Sequence, residues 1–131
     1  MKAFLSIKYH PDQANRARIE AILAALAGLN IQAACVVRDL EDWGQLHYSP
    51  AELMRLTFSE LDACDLLLVD LAEKGVGVGI EAGYAAARGK PIVVIAPTGA
   101  DVSDTLAGLA QAVWRYADFA ELPGILKHLI G

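Results

Sequence analysis

The chain has 131 residues, enough for one domain spanning 1–131 and too few for two ordinary ones. Apolar residues make up 55% and charged residues 21%, a balance that supports a packed core and excludes a disordered chain. The net charge is −5 with no block of Lys or Arg, which excludes the basic stripe that grips nucleic acid polymers.

Met1-Lys2 leads straight into a short apolar run, so no secretory leader is expected. No apolar run approaches the ~20 residues that span a membrane. Cys35 and Cys64 are isolated in apolar segments and read as buried thiols of a reducing cytoplasm.

In chain order, Ala3 to Ile7 reads as a strand. Pro11 to Gly28 reads as a helix with Ile19, Ile22, Leu23 and Leu26 on one stripe. Ile31 to Val37 is a second strand, and Arg38 to Pro50 a long loop carrying Trp43, His47 and Tyr48. Ser49-Pro50-Ala51-Glu52 has the form of a helix start, with Ser as cap, and that helix runs to about Ala63. Asp65 to Asp70 is an apolar strand bracketed by acids. The glycines Gly75, Gly77 and Gly79 then lead into a helix ending near Gly89. Pro91 to Ala96 is a strand, Val102 to about Ala112 a helix, Val113 to Tyr116 a strand, and Phe119 to Ile130 a closing helix.

Apolar strands separated by helices predict a parallel sheet covered on both faces. Five strands predict a flavodoxin-like, doubly wound α/β fold with strand order 2-1-3-4-5. Such sheets bind ligands at the carboxyl ends of the strands, at the switch point between strands one and three. That rule selects Ser6 to His10, Asp70 to Glu81, and Ala96 to Thr105.

The middle segment carries the chemistry. Gly75, Gly77 and Gly79 leave room for a ligand beside a helix N-terminus, where free N–H groups favour negative charge. Glu81 is placed on the first turn, where the dipole favours its ionised form. A nucleophilic carboxylate needs that form, although a Glu there is also an ordinary dipole-complementing residue. Gly79 and Gly83 are four apart and are expected to let the helix approach the sheet closely. The glycines match neither a dinucleotide fingerprint nor a P-loop. Ser6-Ile7-Lys8 after strand one lacks the clustered acids of a phosphoacceptor receiver. No His, Cys or carboxylate cluster has metal-ligand spacing, and no cofactor is expected.

The run Gly-Val-Gly-Val-Gly-Ile-Glu-Ala-Gly-Tyr-Ala, followed by Gly-Lys-Pro and a strand, resembles the active-site signature of the nucleoside 2-deoxyribosyltransferase family. That family includes the 2′-deoxynucleoside 5′-phosphate N-hydrolases. The resemblance is specific over residues 65–96 and fainter over residues 4–8. It implies that Glu81 attacks the anomeric carbon of a nucleoside or nucleotide and releases the base. It also implies a dimer or larger homo-oligomer.

Asp70 falls where the family carries a strand-end acid, and it is the candidate proton donor; its alternative role is to cap the following turn. Ser6 and Lys8 resemble the Ser and Arg that contact a 5′-phosphate, and Thr105 falls at a phosphate-binding Ser position. Three departures stand out. Gly75 replaces an Asp or Ser, Thr57 replaces an acid, and Tyr9 is displaced from the register of the strand-one Tyr. These departures admit a second reading, a non-catalytic nucleotide-binding module. Trp43, His47 and Tyr48 are candidates either to stack on a base or to pack at a subunit interface.

Overall fold

The computed structural model describes residues 1–130. Five strands form one parallel sheet: β1 (Lys2–Ser6), β2 (Gln32–Ala34), β3 (Leu66–Asp70), β4 (Ile92–Pro97) and β5 (Ala112–Tyr116). Their spatial order is β2-β1-β3-β4-β5, as the alternation of strands and helices predicts. The central strands are apolar on both faces because helices cover both.

One face carries α1 (Arg16–Gly28) and a C-terminal helix. Their Ile19, Ile22, Leu26, Leu122 and Leu126 pack on Ala3, Leu5, Leu66, Leu68, Val93 and Ile95. The other face carries the helices Pro50–Asp62 and Val76–Ala87. Their Leu61, Val78, Ala82 and Ala85 pack on Phe4, Leu67, Val69, Ile92 and Val94. Successive strand residues alternate between these two cores. Ser6 therefore shares the face of Phe4, while Asp70 shares the opposite face with Leu66 and Leu68.

Several boundaries differ from the sequence expectation, each for a local reason. Helix α1 begins at Arg16, not at Pro11, because Asp12 Oδ1 accepts the Ala14 N–H and Gln13 takes a left-handed φ of 60°. The second strand ends at Ala34. Asp39 Oδ2 accepts the Cys35 N–H at 2.9 Å, and a short helix α2 (Val36–Asp39) replaces the predicted strand end. Helix α3 (Pro50–Asp62) starts as expected, with Ser49 Oγ accepting the Glu52 N–H.

Helix α4 (Val76–Ala87) starts immediately after Gly75. Glu81 is thus on its second turn, not its first. Gly77 and Gly79 are helical and adopt no unusual backbone angle. Gly79 and Gly83 face outward, so the close packing on the sheet comes from Ala82 and Ala85 instead. Helix α5 shrinks to Asp104–Ala107, capped by Ser103 Oγ. The predicted closing helix is broken into a 3-10 turn at Phe119–Glu121, helix α6 (Leu122–Leu126) and another 3-10 turn at Lys127–Leu129.

Candidate active site

At the carboxyl edge of the sheet, a cavity of about 440 Å³ straddles the end of β1. It is within the size range of small-ligand sites. Four groups of residues line it, one of them Gln13, Asn15, Arg16 and Ile19 around the start of α1. The end of β1 and the following loop contribute Lys8, Tyr9 and His10. The start of α4 contributes Gly75 to Val78 and Glu81. The β2 edge contributes Val36, Val37, Glu41 and Trp43, with Leu53, Met54 and Thr57 of α3 beside them.

Glu81 enters this cavity from α4 and meets β1. Ser6 Oγ donates a 2.5 Å hydrogen bond to Glu81 Oε1. The contact follows from topology: Ser6, on the α4 face of the last β1 position, is 1% exposed and faces the second turn of α4. Burial pushes the Glu81 carboxyl up to about 7, while the Ser6 hydroxyl pulls it down. Desolvation therefore outweighs the Ser6 hydrogen bond and favours the neutral form, where the first-turn expectation favoured the ionised one. A carboxyl of this kind changes charge near neutrality and is weakly solvated when ionised, which favours attack on a developing cation.

The other candidates are distributed unevenly. Lys8 lines the cavity, and its side chain passes over Gly75, where an added Cβ would be 3.5 Å from Lys8 Cγ. Tyr9 lines it and is half exposed. Gly77 lines it, whereas Gly79 does not. Thr105 is exposed on α5, outside the cavity. The Ser6 hydroxyl is committed to Glu81 rather than open to a phosphate.

Asp70 is 0% exposed and is on the other side of the sheet from Glu81. Its Oδ1 accepts the Ala72 N–H at 2.9 Å, and its Oδ2 accepts the Tyr116 hydroxyl at 2.6 Å. Arg18 in turn donates to Tyr116. Burial raises the Asp70 carboxyl, against the lowering effect of Tyr116 and Ala72. Asp70 borders a second cleft, with Arg18 and Glu73, and not the Glu81 cavity. The structure thus does not bring the two candidate catalytic carboxylates together. Thr57, buried in the cavity wall, donates to the Leu53 carbonyl at 2.7 Å.

The β2-edge wall was not legible in sequence, because Val36 and Val37 read as strand. Trp43 does reach the cavity, with Arg16 over its ring at 4.1 Å and Gln13 Nε2 donating to its carbonyl. His47 and Tyr48 do not line it. Asn15 Nδ2 holds the loop after β1 by donating to the Lys8 carbonyl. Among the described residues no group of His, Cys, Asp and Glu is arranged to hold a metal ion. No helix among them is long and apolar enough to cross a membrane.

No family model matches the chain. It is 28% identical over 98 residues to a Thermofilum pendens protein named "Putative 2'-deoxynucleoside 5'-phosphate N-hydrolase 1", covering 73% of this chain and 68% of that protein. Among solved structures, it is similar to a CMP N-glycosidase of Clostridium botulinum, with TM-score 0.73, 20% identity, and 98% and 99% of the two chains covered. It is also similar to a 2-deoxyribosyltransferase of Bacillus psychrosaccharolyticus, with TM-score 0.68, 15% identity, and 94% and 90% covered. At these identities the structural likeness speaks to fold. Together with the Glu81 segment, these likenesses support the resemblance of this chain to the nucleoside 2-deoxyribosyltransferase family.

Proposed function

We propose that the protein cleaves the N-glycosidic bond of a nucleoside 5′-monophosphate, with Glu81 as nucleophile. The observation that carries this reading is the Ser6-bound, desolvated Glu81 carboxyl in the wall of a nucleotide-sized cavity. Breaking an N-glycoside develops positive charge on the sugar and negative charge on the base. A carboxylate at the anomeric carbon stabilises the first and can bond to that carbon, as in retaining glycosidases. The sugar is then released to water or to a second base. Lys8 and the N–H groups at the start of α4 suit the phosphate. The apolar β2-edge wall suits the base.

The test is release of free base from a panel of deoxynucleoside and ribonucleoside 5′-monophosphates. Glu81→Gln is expected to lower the rate by roughly 10³-fold or more. An undiminished rate in that variant would remove Glu81 from the mechanism. Adding a second free base and looking for a new nucleoside separates transfer from hydrolysis. Tight binding of an intact nucleotide with no turnover would favour a non-catalytic module instead, the reading motivated by Thr57 and by the placement of Asp70.

A homo-oligomer also belongs to this proposal. Val76 and Ile80 are exposed apolar residues on α4 beside the cavity, and Thr105 is outside the cavity of its own chain. Sedimentation at micromolar concentration tests it: a monomer would remove this part.

A further inference from the structure

If Glu81 is the nucleophile, the departing base still needs a proton, and the structure denies that task to Asp70. That carboxylate is on the opposite face of the sheet with both oxygens engaged. Thr57 has no acidic proton to give and donates its hydroxyl to Leu53. The groups left in the cavity wall are Lys8, Tyr9, His10, Arg16, Cys35 and Glu41, of which Arg16 keeps its proton and is paired with Glu20. Lys8, Tyr9 and His10 all belong to the loop after β1 at the phosphate end, and the His10 ring is paired with Glu73. Cys35 is a buried thiol whose pKa burial raises further.

Glu41 is placed differently. It follows α2 at the β2 edge, where its N–H bonds the Val36 carbonyl and its carbonyl accepts the Gly44 and Leu46 N–H groups. These bonds fix its backbone in the same wall as Val36, Val37 and Trp43, which with Leu53 and Met54 form an apolar part of the cavity away from Lys8. A nucleotide with its sugar at Glu81 and its phosphate toward Lys8 has this part of the cavity left for its base. Glu41 is half-buried, and no side-chain hydrogen bond or ion pair among the described residues engages its carboxyl.

Resting on the N-glycosidase reading, we infer that Glu41 is the general acid that protonates the leaving base, and so a second catalytic carboxyl across the cavity from Glu81. Burial raises its pKa, with His47 opposing, which favours the protonated form an acid needs. In the first step a Glu81 oxygen bonds to the anomeric carbon. The electron pair of the carbon–nitrogen bond passes to the base, and the Glu41 proton moves to a ring nitrogen of that base. In the second step water attacks the same carbon and releases Glu81 as carboxylate. The water's proton returns to Glu41, so both carboxyls regain their starting states.

The experiment uses matched substrates that differ in how much they need a proton. One pair is deoxyuridine 5′-monophosphate with its 5-fluoro derivative. The other is deoxyguanosine 5′-monophosphate with its N7-methyl derivative, whose base leaves without protonation. In whichever pair the wild type cleaves, Glu41→Gln is expected to slow the unactivated substrate by roughly 10²- to 10³-fold. It is expected to slow the activated partner less than tenfold, with KM little changed. Glu41→Asp is expected to recover part of the rate on the unactivated substrate.

Equal slowing of both partners, or none, overturns the role of Glu41 while leaving the N-glycosidase reading intact, provided Glu81→Gln silences both. A wild type that releases base from neither pair and from no other nucleotide of the panel overturns both proposals. Unchanged thermal unfolding of Glu41→Gln excludes a fold defect as the source of a selective loss.

Discussion

Glu81 and Ser6 form the contact on which the chemistry turns. An ionised Glu81 is required for attack, so in the Glu41→Gln background, where no acid partner titrates, kcat/KM on the activated substrate is expected to rise with pH through a midpoint near 7, the value to which burial lifts this carboxyl. Removing the hydroxyl that holds the group down should raise it further. Ser6→Ala is expected to move that limb upward by about half to one pH unit, read from a pH–rate profile.

The same shift has a stability consequence of definite sign. The folded protein holds the Glu81 proton more tightly than the unfolded chain does. Stability attributed to this group therefore falls as pH rises from 4.5 to about 7. Glu81→Gln removes that cost. It is expected to match wild type near pH 4 and to be more stable near pH 8, by about 1–3 kcal/mol in urea unfolding. The full shift converts to roughly 3–4 kcal/mol, and partial solvent access at the site lowers it into this range.

Among the secondary-structure elements, β3, β5 and α1 are tied together by the chain from Asp70 through Tyr116 to Arg18. Tyr116 is almost fully buried, and its hydroxyl pKa is raised by burial first and by Asp70 second. Replacing it by Phe leaves a buried carboxylate short of a donor. Tyr116→Phe is expected to cost about 1–3 kcal/mol in thermal or urea unfolding. Asp70→Asn is likewise expected to lower stability while leaving base release per folded molecule near wild type. A loss of about 10²-fold or more in that variant would restore Asp70 as the proton donor. The second face is held differently. Phe58 of α3 and Tyr84 of α4 stack with ring centroids 4.1 Å apart, and the Tyr84 hydroxyl donates to Asp62. This contact locks the helix that carries Glu81 against its neighbour.

For the molecule as a whole, the cavity draws its walls from segments far apart in sequence, so occupancy should stabilise the entire fold. A deoxynucleoside 5′-monophosphate added to Glu81→Gln, which would not consume it, is expected to raise Tm in a concentration-dependent way. At one hundred times Kd the gain is about 2.7 kcal/mol. Calorimetric unfolding with and without the nucleotide measures it, and free phosphate at equal concentration serves as control.

What was legible without coordinates were the features that periodicity and topology control. Apolar strands alternating with amphipathic segments determined the parallel sheet and its order. The rule that ligands bind at the carboxyl edge placed Glu81 at the cavity from sequence alone. Side-chain direction was not legible to the same degree. Glu81 and Asp70 both fall at the carboxyl edge. Asp70, however, belongs to a strand, where alternate residues face opposite cores, while Glu81 reaches the sheet from a helix on one side only. The exact start of α4 then decided the turn on which Glu81 falls, and burial against Ser6 decided its charge. Glu41 had no local signal at all. Its position depends on a short turn of helix that ends β2 early, a consequence of the Asp39 carboxylate taking the Cys35 N–H. Sequence by itself thus determined the sheet and the edge at which a ligand binds. Only the tertiary structure decided which acids share the cavity, because Asp70 is turned into the α1-side core and tied there to Tyr116 and Ala72, whereas Glu81 reaches the cavity from α4.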